Sequence, residues 1–241
     1  MKYAIIAAGE GSRLAEEGII TPKPLVKIKN EALIDRLIRI FLGNDAEEVV
    51  VICNDLYTDV AEHLRDIQQR GMNGQKVPLK IIVKTTPSSM HSFYEISKVL
   101  QAQSFCLTTV DTIFADSDFK KYISHFKKTI GEGADGLMGV TDFIDDEKPL
   151  YVGVDNHMNI SGFYDNSSEC QWISAGIYGL THKCVGVLES CVEKGESRMR
   201  NFQRALIADG MKLKAYPFHK VFDIDHAADI QKAERFLCNR E

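Results

Sequence analysis

In the stretch AIIAAGEGSRLAEEGIITPKPLVKI, residues 4–28, an apolar run opens into Gly9-Glu10-Gly11-Ser12-Arg13, and Lys23 follows between Pro22 and Pro24. Gly9 and Gly11 permit positive φ and close approach, so backbone N–H groups there can converge on phosphate oxygens. Arg13 adds a forked donor suited to phosphate, and the two prolines stiffen the backbone that carries the Lys23 ammonium. The plainer alternative is an ordinary turn with Arg13 and Lys23 solvated, because short glycine motifs are common. Leu14 stands where G-x-G-x-x-G needs its third glycine, and the P-loop spacing G-x-x-x-x-G-K-[ST] is not met.

The elements that must position these residues alternate between strand and helix periods. Tyr3–Ala8 reads as a strand, Leu33, Ile34, Leu37, Ile38 and Phe41 recur at helical spacing, and Glu48–Cys53 is again a β-branched run. Asp59–Gln69 reads as an exposed helix, Leu79–Val83 as a strand, Ser89–Leu100 as a helix, and Phe105–Val110 as a strand ending at Asp111. Such alternation implies a mainly parallel sheet, with ligands beyond the carboxyl ends of the strands, where the glycine loop and Asp111 both fall. In the second half Ala134–Val140, Tyr151–Val154, Asn159–Tyr164 and Trp172–Tyr178 read as strands with antiparallel pairing. Helices at Cys184–Glu193 and Arg198–Ala208, a strand at Leu213–Pro217 and a helix at Ala227–Cys238 complete the chain.

Composition narrows the function classes. With 241 residues, 44% apolar and 26% charged, the chain suits one compact soluble domain. A net charge of −5 offers no general attraction to nucleic acid or anionic membrane. Cys53, Cys106, Cys170, Cys184, Cys191 and Cys238 form no C-x-x-C and read as reduced thiols. Neither a signal peptide nor a membrane-length apolar run is present, so the protein is expected in the cytoplasm.

Taken together, AAGEGSRL and TPKPLVKI resemble the N-terminal motif of the nucleotidyltransferases that make nucleoside-diphosphate sugars, G-x-G-x-R and then, after a spacer, P-K-P-L. TVDTIF is similar to that family's metal-binding aspartate segment, WISAGIYGL to its "aGiY" strand, and VFDIDHAADIQKAERF to its closing "DvgTpedl" segment. These segments span residues 4–238 in the family's order. The resemblance implies a three-layer α/β/α sandwich with a Rossmann-like, mixed but mainly parallel sheet, of the nucleotide-diphospho-sugar transferase type. Residues 1–241 would form one domain, about 1–115 binding the nucleotide and about 116–241 shaping the acceptor site.

Carried onto this chain, the resemblance implies that Gly9, Gly11, Ser12 and Arg13 wrap the nucleotide phosphates while Ala7 and Ala8 line the base. Lys23 would meet the transferred phosphate, and Asp111 and Asp223 would hold one Mg²⁺. Displacement at an α-phosphorus needs positioning and charge neutralisation more than covalent chemistry. The nucleophile is already a phosphate anion, so no general base is assigned.

Departures from the pattern bear on the substrate. The loop after Arg13, Leu14-Ala15-Glu16-Glu17-Gly18, is more acidic than the family's "R-L-x-P-L-T". KTTPSSMHSFYEI, residues 84–96, looks more like the base loop of cytidylyltransferases acting on phosphocholine, making Ser89 and Ser92 candidate nucleotide contacts. The family's "G-F-x-E-K-P" is represented by Ser161-Gly162-Phe163-Tyr164-Asp165, without its lysine. His91 is expected to cap or to lie at the surface, Trp172 to pack in the core, and the DFIDDEKP run of residues 142–149 to be a solvated loop. Asp225 and His226 admit either a second metal shell or a helix start. Transfer of NMP from an NTP to a sugar 1-phosphate is the leading expectation. Alternatives are a cytidylyltransferase for phosphocholine or a related alcohol phosphate, and a non-catalytic nucleotide-binding regulator.

Overall fold

A computed structural model describes residues 1–100, 103–145, 147–166 and 169–238. The first half runs β1 (Lys2–Ala7), α1 (Ser12–Glu16), a 3₁₀ turn at Lys23–Leu25, the ribbon β2 (Lys27–Ile28) and β3 (Glu31–Ala32), and α2 (Leu33–Leu42). It continues through β4 (Glu48–Cys53), α3 (Thr58–Arg70), β5 (Leu79–Val83), α4 (Ser89–Ser97), β6 (Phe105–Thr109) and β7 (Thr112–Ile113). The second half comprises α5 (Asp116–Gly131), β8 (Gly136–Thr141), β9 (Tyr151–Val154), β10 (Ile160–Tyr164), β11 (Trp172–Leu180) and α6 (Lys183–Glu193). It closes with α7 (Met199–Ala208), β12 (Leu213–Pro217), β13 (Phe222–Asp223) and α8 (Ala227–Cys238).

One nine-stranded sheet draws on both halves, in the order β10-β9-β11-β6-β1-β4-β5, with β8 pairing β11 and β12. The β6-β1-β4-β5 block is parallel, as crossovers through helices require. β11 runs antiparallel to β6, β8 and β9, whereas β12 runs parallel to β8. The sheet is therefore mixed, and the antiparallel expectation holds among the four strands it named, β8, β9, β10 and β11.

Strand alternation explains the layering. Tyr3, Ile5, Val49 and Val51 enter one core with the apolar faces of α2, α3 and α5. Ala4, Ile6, Val50 and Ile52 enter another with α4, α6 and α7. Successive side chains leave opposite faces of a strand, so a continuous Val/Ile run buried on both sides demands helices on both sides. Helix α5 is absent from the sequence reading, although Phe119, Tyr122, Ile123 and Phe126 recur at helical spacing and are buried. Its lysine-rich outer face, with Lys120, Lys121, Lys127 and Lys128, lowers its average apolarity without disturbing the stripe.

Candidate active site

Parallel pairing sets the carboxyl ends of β1, β4 and β6 side by side, because Ile6 lies opposite both Ile52 and Thr109. The chain leaves β1 through the glycine loop and leaves β6 through Val110 and Asp111. Gly11 has φ 66°, and a Cβ there would come within 3.1 Å of Lys23 Cβ. The missing side chain is thus what lets the glycine loop and the P-K-P segment pack together. Ala8, Gly9, Gly11, Lys23, Ser89, Ser92 and Asp111 all line one cavity of about 390 Å³. Ala7 remains in the strand opposite Cys53, and Ser12 opens α1; neither lines this cavity.

Asp111 and Asp223 come from distant segments that meet through one small ladder. β13 pairs antiparallel with β7, placing Asp223 opposite Thr112, and Ile224 N donates to Asp111 O at 3.1 Å. Gly176 supports this corner from β11, where the register with β8 shifts between Ser174 and Tyr178. Its φ is 69°, and a Cβ would stand 3.0 Å from Thr112 Oγ1 and 3.3 Å from Thr109 Oγ1. The "aGiY" glycine is therefore the bulge residue that lets β11 press against the Asp111 turn.

Lys23 Nζ donates to Asp111 Oδ2 at 2.5 Å and to Asp225 Oδ1 at 2.8 Å, while Arg13 Nη1 donates to Asp225 Oδ2 at 2.8 Å. Asp225 thus joins the two cations, a role that neither expectation for it, a second metal shell or a helix start, contained. Burial opposes ionisation of Asp111, but the Lys23 ammonium, with hydrogen bonds from Lys23 and Thr109, outweighs it and holds the carboxyl below its ordinary range. Burial likewise opposes the charge on Lys23, and Asp111 and Asp225 overcome it, lifting the ammonium above the usual lysine range. At Asp223 burial, and then the Asp111 charge, prevail over Lys23 and push the carboxyl well up. Asp223 nonetheless keeps solvent-exposed surface.

A second cavity of about 250 Å³ adjoins the first, sharing Ser89 and Thr109 with it and holding Asp223 in its wall. Lys148, Arg198 and Arg200 line it, together with Ser174, Tyr178 and Gln203. Arg198 precedes α7 at φ 72° and ψ 139°, and its backbone N donates to Ser88 Oγ at 3.4 Å, tying the rim of one cavity to that of the other. No motif marks these three cations in the sequence, where Lys148 stands 52 residues before Arg200.

The acidic loop has a definite partner. Glu17 Oε2 accepts from Ala227 N at 2.7 Å, and Oε1 pairs with His226 Nδ1 at 2.6 Å. The start of α8 is capped by Glu17 and Asp229; Asp225 spends its side chain on Lys23 and Arg13. His91 N donates to the Oγ of the α4 N-cap Ser88 at 3.4 Å, and its ring Nδ1 lies 2.9 Å from the same oxygen. Trp172 is half-buried against the second core and also lines a groove with Tyr164. In the DFIDDEKP run Asp145 pairs with Lys232 and Glu147 lies 3.7 Å from His226, while Asp146 lies outside the described residues. All six cysteines are free thiols. Among the described residues no helix is long and apolar enough to cross a membrane.

An α/β sandwich whose glycine loop and Asp111 stand at the carboxyl ends of its parallel strands has its crevice where such sheets take ligands. The chain belongs to the nucleotidyl transferase family, whose model matches residues 2–240. It is 22% identical to the bifunctional protein GlmU of Thermodesulfovibrio yellowstonii over the whole of this chain and 53% of that protein, so it spans about half the length of that relative. Its fold is similar to a Bacillus anthracis protein assigned as a glucose-1-phosphate thymidylyltransferase, with TM-score 0.82, 18% identity, and 98% and 94% of the two chains covered. The inositol-1-phosphate CTP transferase of T. maritima follows at TM-score 0.76 and 19% identity, covering 98% and 97%. The CTP:phosphocholine cytidylyltransferase of Streptococcus pneumoniae stands at 0.75 and 16%, covering 98% of both chains.

Proposed function

We propose that the protein transfers NMP from an NTP to a phosphorylated acceptor, releasing pyrophosphate, with residues of the first half taking the nucleotide and those of the second half the acceptor. The observation that carries this reading is the junction of the two cavities: Ser89 and Thr109 belong to both, with Lys23 and Asp111 on one side and Lys148, Arg198 and Arg200 on the other. In this reading the amides of Gly9, Gly11 and Ser12 hold phosphate oxygens, Lys23 meets the transferred phosphate, and Arg13 neutralises charge as it develops on the leaving pyrophosphate. Ala7, Ala8, Ser89 and Ser92 belong to the base and ribose side. Asp111 and Asp223 fit Mg²⁺: they are adjacent oxygen donors whose mutual repulsion a cation would relieve, and two carboxylates leave coordination sites for water and phosphate. When bound, the ion would supply charge neutralisation between the phosphates.

The acceptor reading is a sugar 1-phosphate. Arg198 and Lys148, with Arg200 held by Asp165 at 2.6 Å, supply the cations that the missing lysine after Phe163 would otherwise provide. Arg198 holds a positive φ, and non-glycine residues kept in such sparse regions cluster at ligand sites. Ser174, Tyr178 and Gln203 add neutral hydrogen-bonding groups, and Asp223 is the one carboxylate lining this cavity, which suits a hydroxyl-rich monoester better than a quaternary ammonium. A cytidylyltransferase acting on an alcohol phosphate is the second reading, favoured by the serine-rich start of α4, where Thr86 Oγ1 and Ser92 Oγ meet at 2.6 Å. The test is pyrophosphate release from CTP, GTP, UTP, TTP and ATP against sugar 1-phosphates, inositol 1-phosphate, phosphocholine and phosphoethanolamine, with Mg²⁺ or with EDTA. Turnover of one pair, abolished by EDTA, is expected; silence from protein that still binds an NTP would leave the regulatory alternative standing.

A further inference from the structure

The amides of Gly9, Glu10 and Gly11 have no acceptor among the described residues, whereas the carbonyls of the same loop are held from behind. Asn54, in the turn after β4 and only 3% exposed, donates from Nδ2 to Ala8 O at 3.3 Å and to Gly9 O at 3.4 Å. Its Oδ1 accepts from Tyr57 N at 3.2 Å, and the Tyr57 hydroxyl donates to Glu10 O at 3.2 Å. In a planar trans peptide the carbonyl of one residue and the N–H of the next point in opposite directions. Tying the oxygens of Ala8, Gly9 and Glu10 therefore aims the amides of Gly9, Glu10 and Gly11 the other way. Gly9, Glu10 and Gly11 line the cavity in which Lys23 and Asp111 stand.

We infer that Asn54 and Tyr57 are positioning residues of a polyphosphate cradle: they touch no ligand themselves and hold the glycine loop with its amides turned outward toward phosphate. The inference rests on the proposed nucleotide site. Neither residue lies within G-x-G-x-R; they reach the loop because β4 is the parallel neighbour of β1, with Cys53 opposite Ala7. A loop of this glycine content would otherwise sample many conformations, and only the one with converging amides binds an anion.

Calorimetric binding of Mg²⁺-tripolyphosphate to the intact protein tests this, beside thermal unfolding of each variant. Asn54→Ala is expected to weaken binding about tenfold and Tyr57→Phe about threefold, the loss of two hydrogen bonds to loop carbonyls and of one. With a turned-over NTP and acceptor, KM for the NTP should rise by similar factors while kcat changes by less than about twofold, the pattern of lost ground-state binding. A residue that merely stabilises the fold would lower the unfolding temperature and leave the affinity of folded protein untouched. Should Asn54→Ala fold poorly, Tyr57→Phe keeps the ring and decides alone. Wild-type affinity in the folded variants overturns the positioning role; failure of the wild type to bind tripolyphosphate overturns the phosphate site and this inference with it.

Discussion

Lys23 Nζ donates to Asp225 Oδ1 at 2.8 Å across 202 residues of sequence, and the other oxygen of the same carboxylate holds Arg13. Both cations assigned to phosphate are thus already engaged by one side chain. A triphosphate must take them from Asp225, so that residue sets how strongly the cleft holds anions.

Replacing Asp225 with Asn removes the competing charge and keeps the shape. Binding of tripolyphosphate without Mg²⁺ is expected to tighten by about twofold to fivefold, the order of a partly exposed ion pair. Calorimetry at low ionic strength checks this, and equal or weaker binding would show that Asp225 helps to hold the anion.

Lys23→Ala should lower kcat by roughly two orders of magnitude or more, as loss of a donor aimed at developing charge does. Lys23→Arg should not restore it, because a longer planar fork cannot reproduce the compact charge that Nζ places between Asp111 and Asp225. Steady-state pyrophosphate release decides; turnover within threefold of wild type in Lys23→Ala removes Lys23 from the mechanism, and the same result in Lys23→Arg would show that any cation there suffices.

The two loop glycines should fail differently. Gly11→Ala forces a side chain into the left-handed region and against Lys23 Cβ, costing about 1–2 kcal/mol in backbone strain alone. At Gly9 an added Cβ meets nothing within 4 Å, so Gly9→Ala should unfold like the wild type yet bind nucleotide less well, its methyl facing the cavity. Denaturant unfolding beside NTP titration separates the two, and equal destabilisation would contradict this geometry.

His63 supplies a pH dependence remote from the cleft. Its Nε2 lies 2.6 Å from Asp35 Oδ1, and that hydrogen bond, larger than the opposing cost of partial burial, raises the imidazole pKa above its usual 6.5. The charged pair stabilises the fold fully below the unfolded value, and the contribution disappears as pH rises through the raised folded value. With both side chains roughly a quarter to a third exposed, the contribution is at most about 1 kcal/mol. Melting temperatures of wild type and His63→Gln should differ most near pH 6 and converge toward pH 9; a gap independent of pH would assign the difference to packing.

The strands β4, β5, β9 and β12 and the helix α8 lie at the boundaries expected from residue pattern, because a two-residue or 3.6-residue period is a local property of the chain. The same holds for the glycine loop and the lysine between prolines, whose chemistry follows from residue types a few positions apart. Helix α5 had its signal in Phe119, Tyr122, Ile123 and Phe126, and went unread amid lysines. What no local pattern contained was the meeting of Asp225 with Lys23 and Arg13, of Asn54 with the carbonyls of the glycine loop, and of Lys148 with Arg198 and Arg200 around one cavity. Those meetings depend on which strand lies beside which, on β13 reaching β7, and on a bulge at Gly176. Strand order is settled by packing of the whole chain, so only the tertiary structure decides which distant side chains share a cleft.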